Sequence, residues 1–291
     1  MNNGVIGQSA TIVLLHERKQ KMKNLWLFEW KTMTRQRSYY LFLILWVLVF
    51  SLLFLLERTN AGLSNFTNIT GTIVNILLYL LPLFMLIIGS FSITNELESG
   101  QWHLLCTYPI GIPAYLFGKF AGLIMAQAAV FTLSFGISMA IGLFVGIQLS
   151  LPWLLGIYLF SLLLIYVFLI LGVFLGTVAK TRWKALMASV AIWFFLIMIW
   201  PTALIAVLGL VPYSMIEPLL KVAMVLNPAE FLRIFLIIKW DSGAIFGASY
   251  DAIVHLFQSG AGWMILIGYL IAYIFMLFSL SILFLGRRRY L

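Results

Sequence analysis

The side chains that could do chemistry are few and widely separated in this sequence. A soft metal ion such as Cu(I) needs several Met, His or Cys ligands close together. The chain has one cysteine, Cys106, and three histidines, His16, His103 and His255, which lie far apart. Its twelve methionines are scattered through apolar stretches, where methionine usually fills space in a core. We therefore predict no metal site, no cofactor and no catalytic residue in this chain.

The residues that drive other membrane reactions are also scarce. An intramembrane hydrolase would need Ser with His or Lys, or paired Asp, at membrane depth, yet the apolar stretches contain no Asp. There is no GxxxxGK[ST] loop to hold nucleotide phosphates. Ion-driven transporters usually carry ionisable groups in the membrane, and only Lys119 lies in such a stretch, where we expect its stem to snorkel to water. A secondary transporter with a sodium site made of backbone carbonyls remains an alternative. If the chain is not such a transporter, a partner protein must supply the energy for its work.

The apolar stretches themselves predict the elements. The 291 residues are 63% hydrophobic and 9% charged, whereas a soluble domain is about half apolar and a quarter charged. About 20 apolar residues are needed to cross a bilayer as a helix. Six stretches qualify: Tyr39 to Leu56, Thr72 to Thr94, Ala114 to Val145, Trp153 to Ala179, Ala185 to Leu208 and Gly262 to Leu285. The predicted fold is an all-α, polytopic membrane protein with six transmembrane helices.

The distribution of basic residues predicts the orientation of these helices. Fourteen of the eighteen Lys and Arg fall on one side of this arrangement, and positive loops stay inside. Both termini are therefore expected in the cytoplasm. Before the first span, apolar residues recur at helical spacing, as an amphipathic helix at the interface requires. We predict a weakly structured tail over 1–21, an interfacial elbow helix over 22–38 and a transmembrane domain over 39–291.

Two loops carry the remaining candidate residues. After the second span, Glu96 and Glu98 are followed by Gly100, which permits a turn, and by a short helix that Ser99 can cap and Pro109 ends. Its apolar side chains either serve a partner or cover the ends of the chain's own helices. The outer stretch 209–261 is divided by prolines into two runs too short to span, Leu219 to Leu226 and Phe231 to Ile238. We expect this stretch to pack on the bundle, with Asn227 capping its second helix.

From Met22 onward, the chain resembles the permease subunits of ABC transporters of the type 2 exporter family. The elbow, the six spans, the short helix after the second span and the outer re-entrant region all match that family. The family's coupling segment has an acidic pair, a glycine, a leucine pair and a proline, which correspond here to Glu96, Glu98, Gly100, Leu104, Leu105 and Pro109. Three runs, 104–109, 118–120 and 226–233, are most similar to NosY-like permeases of copper-processing complexes. Gly111 and Ile112 stand where that pattern often has a basic residue.

The resemblance implies a homodimer of non-catalytic permeases that binds separate ABC ATPase subunits and no nucleic acid. A coupling helix within 95–113 would dock in a groove of the ATPase. Glu96 and Glu98 would bind the ATPase or brace the bundle, Trp102, Leu104 and Leu105 would fill the groove, and Gly100 and Pro109 would set the helix length and exit.

On the outer side, the resemblance implies an extracytoplasmic lid shaped by Asn227, Pro228, Glu230 and Arg233. In a NosY-like complex in a bacterial inner membrane, the lid would act on an extracytoplasmic partner during copper delivery for nitrous oxide reductase maturation. The alternative is export of a lipid, peptide or antibiotic. Genes for a periplasmic repeat protein and a copper chaperone nearby would favour the first.

Overall fold

The chain is described here by a computed structural model that covers residues 26–27, 29–58, 68–102, 104, 111–146, 150–240 and 250–288. Within these ranges it is helical and has no strand. The helices are α1 (Arg37–Arg58), α2 (Asn68–Glu98), α3 (Ile112–Phe144), α4 (Leu151–Val178), α5 (Arg182–Leu208), α6 (Tyr213–Leu226), α7 (Pro228–Lys239), α8 (Asp251–Gln258) and α9 (Ala261–Arg287). Before α1, residues 26–27 and 29–34 are also helical, and we call them the elbow.

Five helices, α2, α3, α4, α5 and α9, are long and apolar enough to cross a membrane. In α1 the apolar part is Tyr39–Leu55. Its 17 residues are fewer than the roughly 20 that a membrane span needs. The structure therefore supports five of the six predicted spans, and the first one stays a prediction. The chain is a polytopic helical membrane protein.

Helices α2 and α4 form a close pair because glycines line their contact. A Cβ atom added at Gly172 would lie 2.7 Å from the carbonyl oxygen of Leu86, and one at Gly176 would lie 2.6 Å from that of Ser90. From the other side, a Cβ at Gly89 would lie 2.6 Å from the oxygen of Leu169. Inside a membrane there is no hydrophobic driving force between helices, so they associate through close backbone packing at small residues such as these glycines.

Side-chain hydrogen bonds join α3 to α1 and α5 to α2. Ser134 and Ser138 of α3 donate to the backbone oxygens of Leu43 and Val47 in α1, at 3.1 and 3.0 Å. In α5, the indole of Trp193 donates to the oxygen of Tyr79 in α2 at 2.8 Å. Ser134, Ser138 and Trp193 thus each have a hydrogen-bond partner within the bundle.

At one end of the bundle the α2, α4 and α9 C-termini meet the α3 and α5 N-termini. The guanidinium of Arg288 donates to the oxygens of Val178 and Ala179 at 2.5 and 2.9 Å, which satisfies carbonyls at the end of α4. Partial burial lowers the pKa of Arg288. We call this the basic end, and we call the opposite end, with α6, α7 and α8, the far end.

Candidate coupling site

The elbow lies directly on α3 at the basic end. Gly122 has no side chain, and a Cβ there would lie 2.6 Å from Cβ of Glu29 and 2.8 Å from the oxygen of Trp26. The elbow ends two residues before α1, which begins at Arg37. Residues 22–25 and 28 of the predicted elbow, 22–38, lie outside the described part of the chain.

Four polar side chains from the elbow, α2 and α3 form a buried charge network. The Nζ atom of Lys119 lies 3.0 Å from Oε1 of Glu29 and 2.5 Å from Oε1 of Glu96. The hydroxyl of Tyr115 donates to the second oxygen of Glu96. Lys119 is 2% exposed, so the expectation that it snorkels to water is wrong. The two carboxylates take the place of water around its ammonium group.

The sequence contained a signal for this network that we missed. Glu29 lies three residues after Trp26 and four before Met33, so it falls on the apolar face of the elbow. A carboxylate on a buried face needs a cation, since an unpaired buried charge is very costly. Lys119 is the one charge inside an apolar stretch and is the matching partner.

Glu98 contacts the first residue of α5. Its Oε2 atom accepts from the backbone N–H of Arg182 at 2.9 Å and lies 3.5 Å from Nε of the same residue. Thr181 caps the same terminus. From the sequence we expected Glu96 and Glu98 to follow the second span, but both lie within α2, which continues to Glu98. Gly100, two residues further on, has a φ of 75°, the left-handed conformation in which helices commonly end.

In the short helix after Gly100, Trp102 faces the bundle and Leu104 faces outward. Gln101, Trp102 and Leu104 are helical. The indole of Trp102 is 6% exposed and its ring centroid lies 5.4 Å from that of Tyr115, so it contacts its own bundle. The expectation that Trp102 fills a partner's groove stays a prediction. Leu104 is 66% exposed, and Leu105 and Pro109 lie outside the described residues.

At the far end, Asn227 joins the re-entrant helices to α5. Its Oδ1 accepts from the N–H of Ala229 at 3.0 Å, which confirms the predicted cap of α7. Its Nδ2 donates to the oxygen of Leu196 at 2.7 Å. The side chain is fully buried.

The carbonyl of Leu196 is available because α5 widens into a π-helix over Phe194–Ile199. In this turn the N–H of Trp200 donates to Phe195, five residues back. The next possible donor for Leu196 would be residue 201, which is a proline without an N–H. Both usual helical donors are thus lost, and the Asn227 amide replaces them.

Of the other predicted lid residues, two face the protein interior, and the third, Arg233, has a side chain that is 31% exposed. Pro228 and Glu230 are buried, and Glu230 accepts from Arg233 at 2.6 Å. Phe231 stacks on Tyr269 of α9 with ring centroids 4.0 Å apart. Burial raises the pKa of the nearby Tyr250 hydroxyl, with Glu230 adding to the rise and Arg233 opposing it.

The outer stretch packs on the bundle as predicted, with α7 almost wholly buried. It has three helices in its described part, α6, α7 and α8, where we expected two. The first starts earlier than expected, at Tyr213, because Pro218 is accommodated inside it.

A family model described as ABC-2 family transporter protein matches residues 24–287, which include the elbow and α1 to α9. The chain belongs to the ABC-2 transporter family. A protein from Pseudomonas aeruginosa named "Probable ABC transporter permease protein NosY" is 32% identical over 219 residues, covering 69% of this chain and 79% of that protein. A protein of the same name from Stutzerimonas stutzeri is 31% identical over 204 residues, covering 65% of this chain and 74% of that protein.

As an ABC-2 permease, the chain is a multi-pass membrane subunit of an ABC transporter that resembles NosY. Its candidate site joins helices to one another and is not a cluster of metal ligands. Among the described residues, no three His, Cys, Asp or Glu side chains come together as metal ligands would. The polar side chains at the basic end instead join helix ends to one another.

Proposed function

We propose that this ABC-2 permease converts ATP-driven motion of separate ATPase subunits into movement of its far end. In this proposal the basic end faces the cytoplasm, both termini lie there, and residues 95–113 dock on the ATPase. The excess of Lys and Arg at that end supports this orientation, because cytoplasmic loops are positively charged.

The observation that carries the proposal is the position of Lys119 between Glu29 and Glu96. Glu96 lies less than two turns before the coupling segment turns at Gly100. A push on that segment therefore acts on a helix end that is bound to α3 and, through Glu29, to the elbow. Glu98 extends the connection to α5. The four elements would move together.

The docking surface in this proposal is the outward side of the short helix. Leu104 is exposed there, and Leu105 is the next apolar residue. On the opposite side of the short helix, Trp102 packs against Tyr115. This division assigns Trp102 to positioning and Leu104 to contact. Gly100 and Pro109 would set where the helix begins and ends.

At the far end, we assign Asn227, Pro228, Glu230 and Arg233 to the internal framework of a lid. Asn227 connects the lid to α5 by a direct hydrogen bond, and Phe231 connects it to α9. Movement of α5 would therefore reach the lid and, beyond it, an extracytoplasmic partner. The similarity to two permeases named NosY supports a role in copper delivery for nitrous oxide reductase maturation.

A homodimer fits the exposure of the spans. In the most apolar window of α5, 6% of the residues are buried, compared with 50 to 56% in α2, α3 and α4. In this proposal a second copy of the chain covers part of that face, and lipid covers the rest.

The test is co-expression of the chain with ABC ATPase subunits from the same organism, followed by co-purification and ATPase assays. Replacing Glu98 and Leu105 together should weaken co-purification or uncouple ATP hydrolysis from the downstream activity. Full binding and coupling in that double variant would rule out the assigned contact. The copper role is tested separately, by the copper content of nitrous oxide reductase from a strain that lacks this permease. Normal copper content would rule out that role and leave the ATPase contact intact.

A further inference from the structure

A cavity of about 260 Å³ lies where the elbow meets the first spans. Its walls come from Met33 and Gln36 before α1, from α1, from Phe84 and Ile88 of α2, and from Gln127 of α3. Leu41, which also lines it, is 68% exposed, so the cavity reaches the surface of the bundle. It is separate from the charge network, since none of the network's residues lines it.

One polar atom in this region has no partner. Gln127 is 5% exposed, and its Oε1 atom accepts no hydrogen bond within the described residues. Gln127 lies eight residues after Lys119, which is about 12 Å further along α3 and therefore at a depth where water is scarce. A buried side-chain oxygen without a donor is uncommon in native proteins and calls for an explanation.

The lining decides which chemistry could supply the donor. No Lys, Arg, Asp or Glu lines the cavity, so a charged ligand would have no counter-charge. Met33 is the one sulfur ligand in the lining, too few for a soft metal ion. A hydrocarbon chain would fit the apolar walls but would leave Gln127 unsatisfied. An uncharged molecule with an apolar body and a single O–H donor meets both requirements.

We propose that this cavity binds an uncharged, membrane-dissolved amphiphile whose hydroxyl donates a hydrogen bond to Gln127. The apolar body lies against α1 and α2, with Phe84 and Ile88 on one wall. Because the elbow and three helices contribute to the lining, the occupant joins the same elements that Lys119 joins by charge. The site does not depend on the proposed function, since it is formed by one copy of the chain.

Photolabelling of the whole chain in lipid nanodiscs tests this site. Two probes are used at equal membrane concentration, a diazirine-bearing octanol and a diazirine-bearing octane that lacks the hydroxyl. We expect the octanol probe to label peptides of 39–45 and 84–88 roughly two- to tenfold more than the octane probe, the range that one hydrogen bond provides. In Gln127→Leu this preference should disappear. Thr132→Val, which removes a hydroxyl outside the lining on the same helix, should keep it.

A second variant guards against misfolding at the buried position. Leu41→Trp changes an exposed rim residue, and we expect it to reduce labelling by both probes. Equal labelling by the two probes in the unaltered chain would overturn the proposal and indicate that lipid chains fill the cavity. Octanol preference that persists in a folded Gln127→Leu variant would overturn it as well. Labelling by neither probe would show that the cavity is closed, and would also reject the site.

Discussion

Lys119 of α3 and Glu29 of the elbow form an ion pair at 3.0 Å although they are 90 residues apart in the chain and both are almost wholly buried. Burying two charges costs several kcal/mol of desolvation for each ion, and a buried pair repays this only with good geometry and further hydrogen bonds. Glu96 and Tyr115 provide the further bonds. The pair therefore specifies where the elbow docks more than it adds stability.

Removing the ammonium group of Lys119 should destabilise the fold far more than removing a surface lysine. Lys119→Met leaves two buried carboxylates without their partner, and we expect a loss of about 3 to 5 kcal/mol. Thermal unfolding of the purified chain in detergent measures this. The control is Lys221→Met, which removes an exposed lysine paired with Glu217 at 2.7 Å and should cost less than about 1 kcal/mol. Equal shifts in melting temperature would show that the buried pair has no special role.

The contact between α2 and α4 should not tolerate a single methyl group. In Gly172→Ala the new Cβ would lie 2.7 to 2.8 Å from the oxygens of Leu86 and Met85, which are backbone atoms that cannot turn aside. The two helices must separate, and we expect a clear fall in folded yield and melting temperature. Gly268→Ala is the matched control, because a Cβ at that position in α9 meets no atom within 4 Å. Fluorescence-detected size-exclusion chromatography should show a normal monodisperse peak for Gly268→Ala only.

The spans were predictable and the contacts at their ends were not. A run of about 20 apolar residues is a local signal, so four of the five helices that are long and apolar enough to span match the predicted runs to within three residues at each end. The second span extends four residues further, through Glu98, because nothing stops a helix before Gly100. The Lys119 network depends on residues brought together over long sequence distances, and local periodicity carries no information on such pairs.

The short helix after α2 illustrates the same limit. The spacing of Trp102 and Leu104 predicts that they lie on different sides of a helix, but it does not say which side meets the bundle. The side is decided by Tyr115, whose ring receives Trp102. The cap by Asn227 was predictable because capping is local. Its bond to Leu196 was not, since it requires the π-helical turn in α5.

Trp102 and Leu104 should respond differently to truncation. Trp102→Ala removes a buried ring, and we expect a loss of about 3 to 5 kcal/mol in stability. Leu104→Ala removes an exposed side chain, so stability should change by less than about 0.5 kcal/mol. Co-purification with the ATPase should fall for Leu104→Ala at unchanged melting temperature. A stable Leu104→Ala protein that retains full ATPase binding would contradict the assignment of Leu104 to the docking surface.

Asn227 performs two tasks that substitution can separate. Asn227→Ser keeps a side-chain oxygen to cap α7 but removes the amide nitrogen that donates to Leu196. The freed carbonyl should cost about 1 to 3 kcal/mol, and amide hydrogen exchange should rise within the π-helical segment Phe194–Ile199 of α5. Asn227→Ala should lose about 1 kcal/mol more, because the cap is removed as well. If the Ser variant and the unaltered chain gave the same exchange in that segment, the Leu196 bond would not hold the lid framework to α5. If the Ser and Ala variants were equally unstable, the cap would contribute nothing and the whole effect would belong to the Leu196 carbonyl.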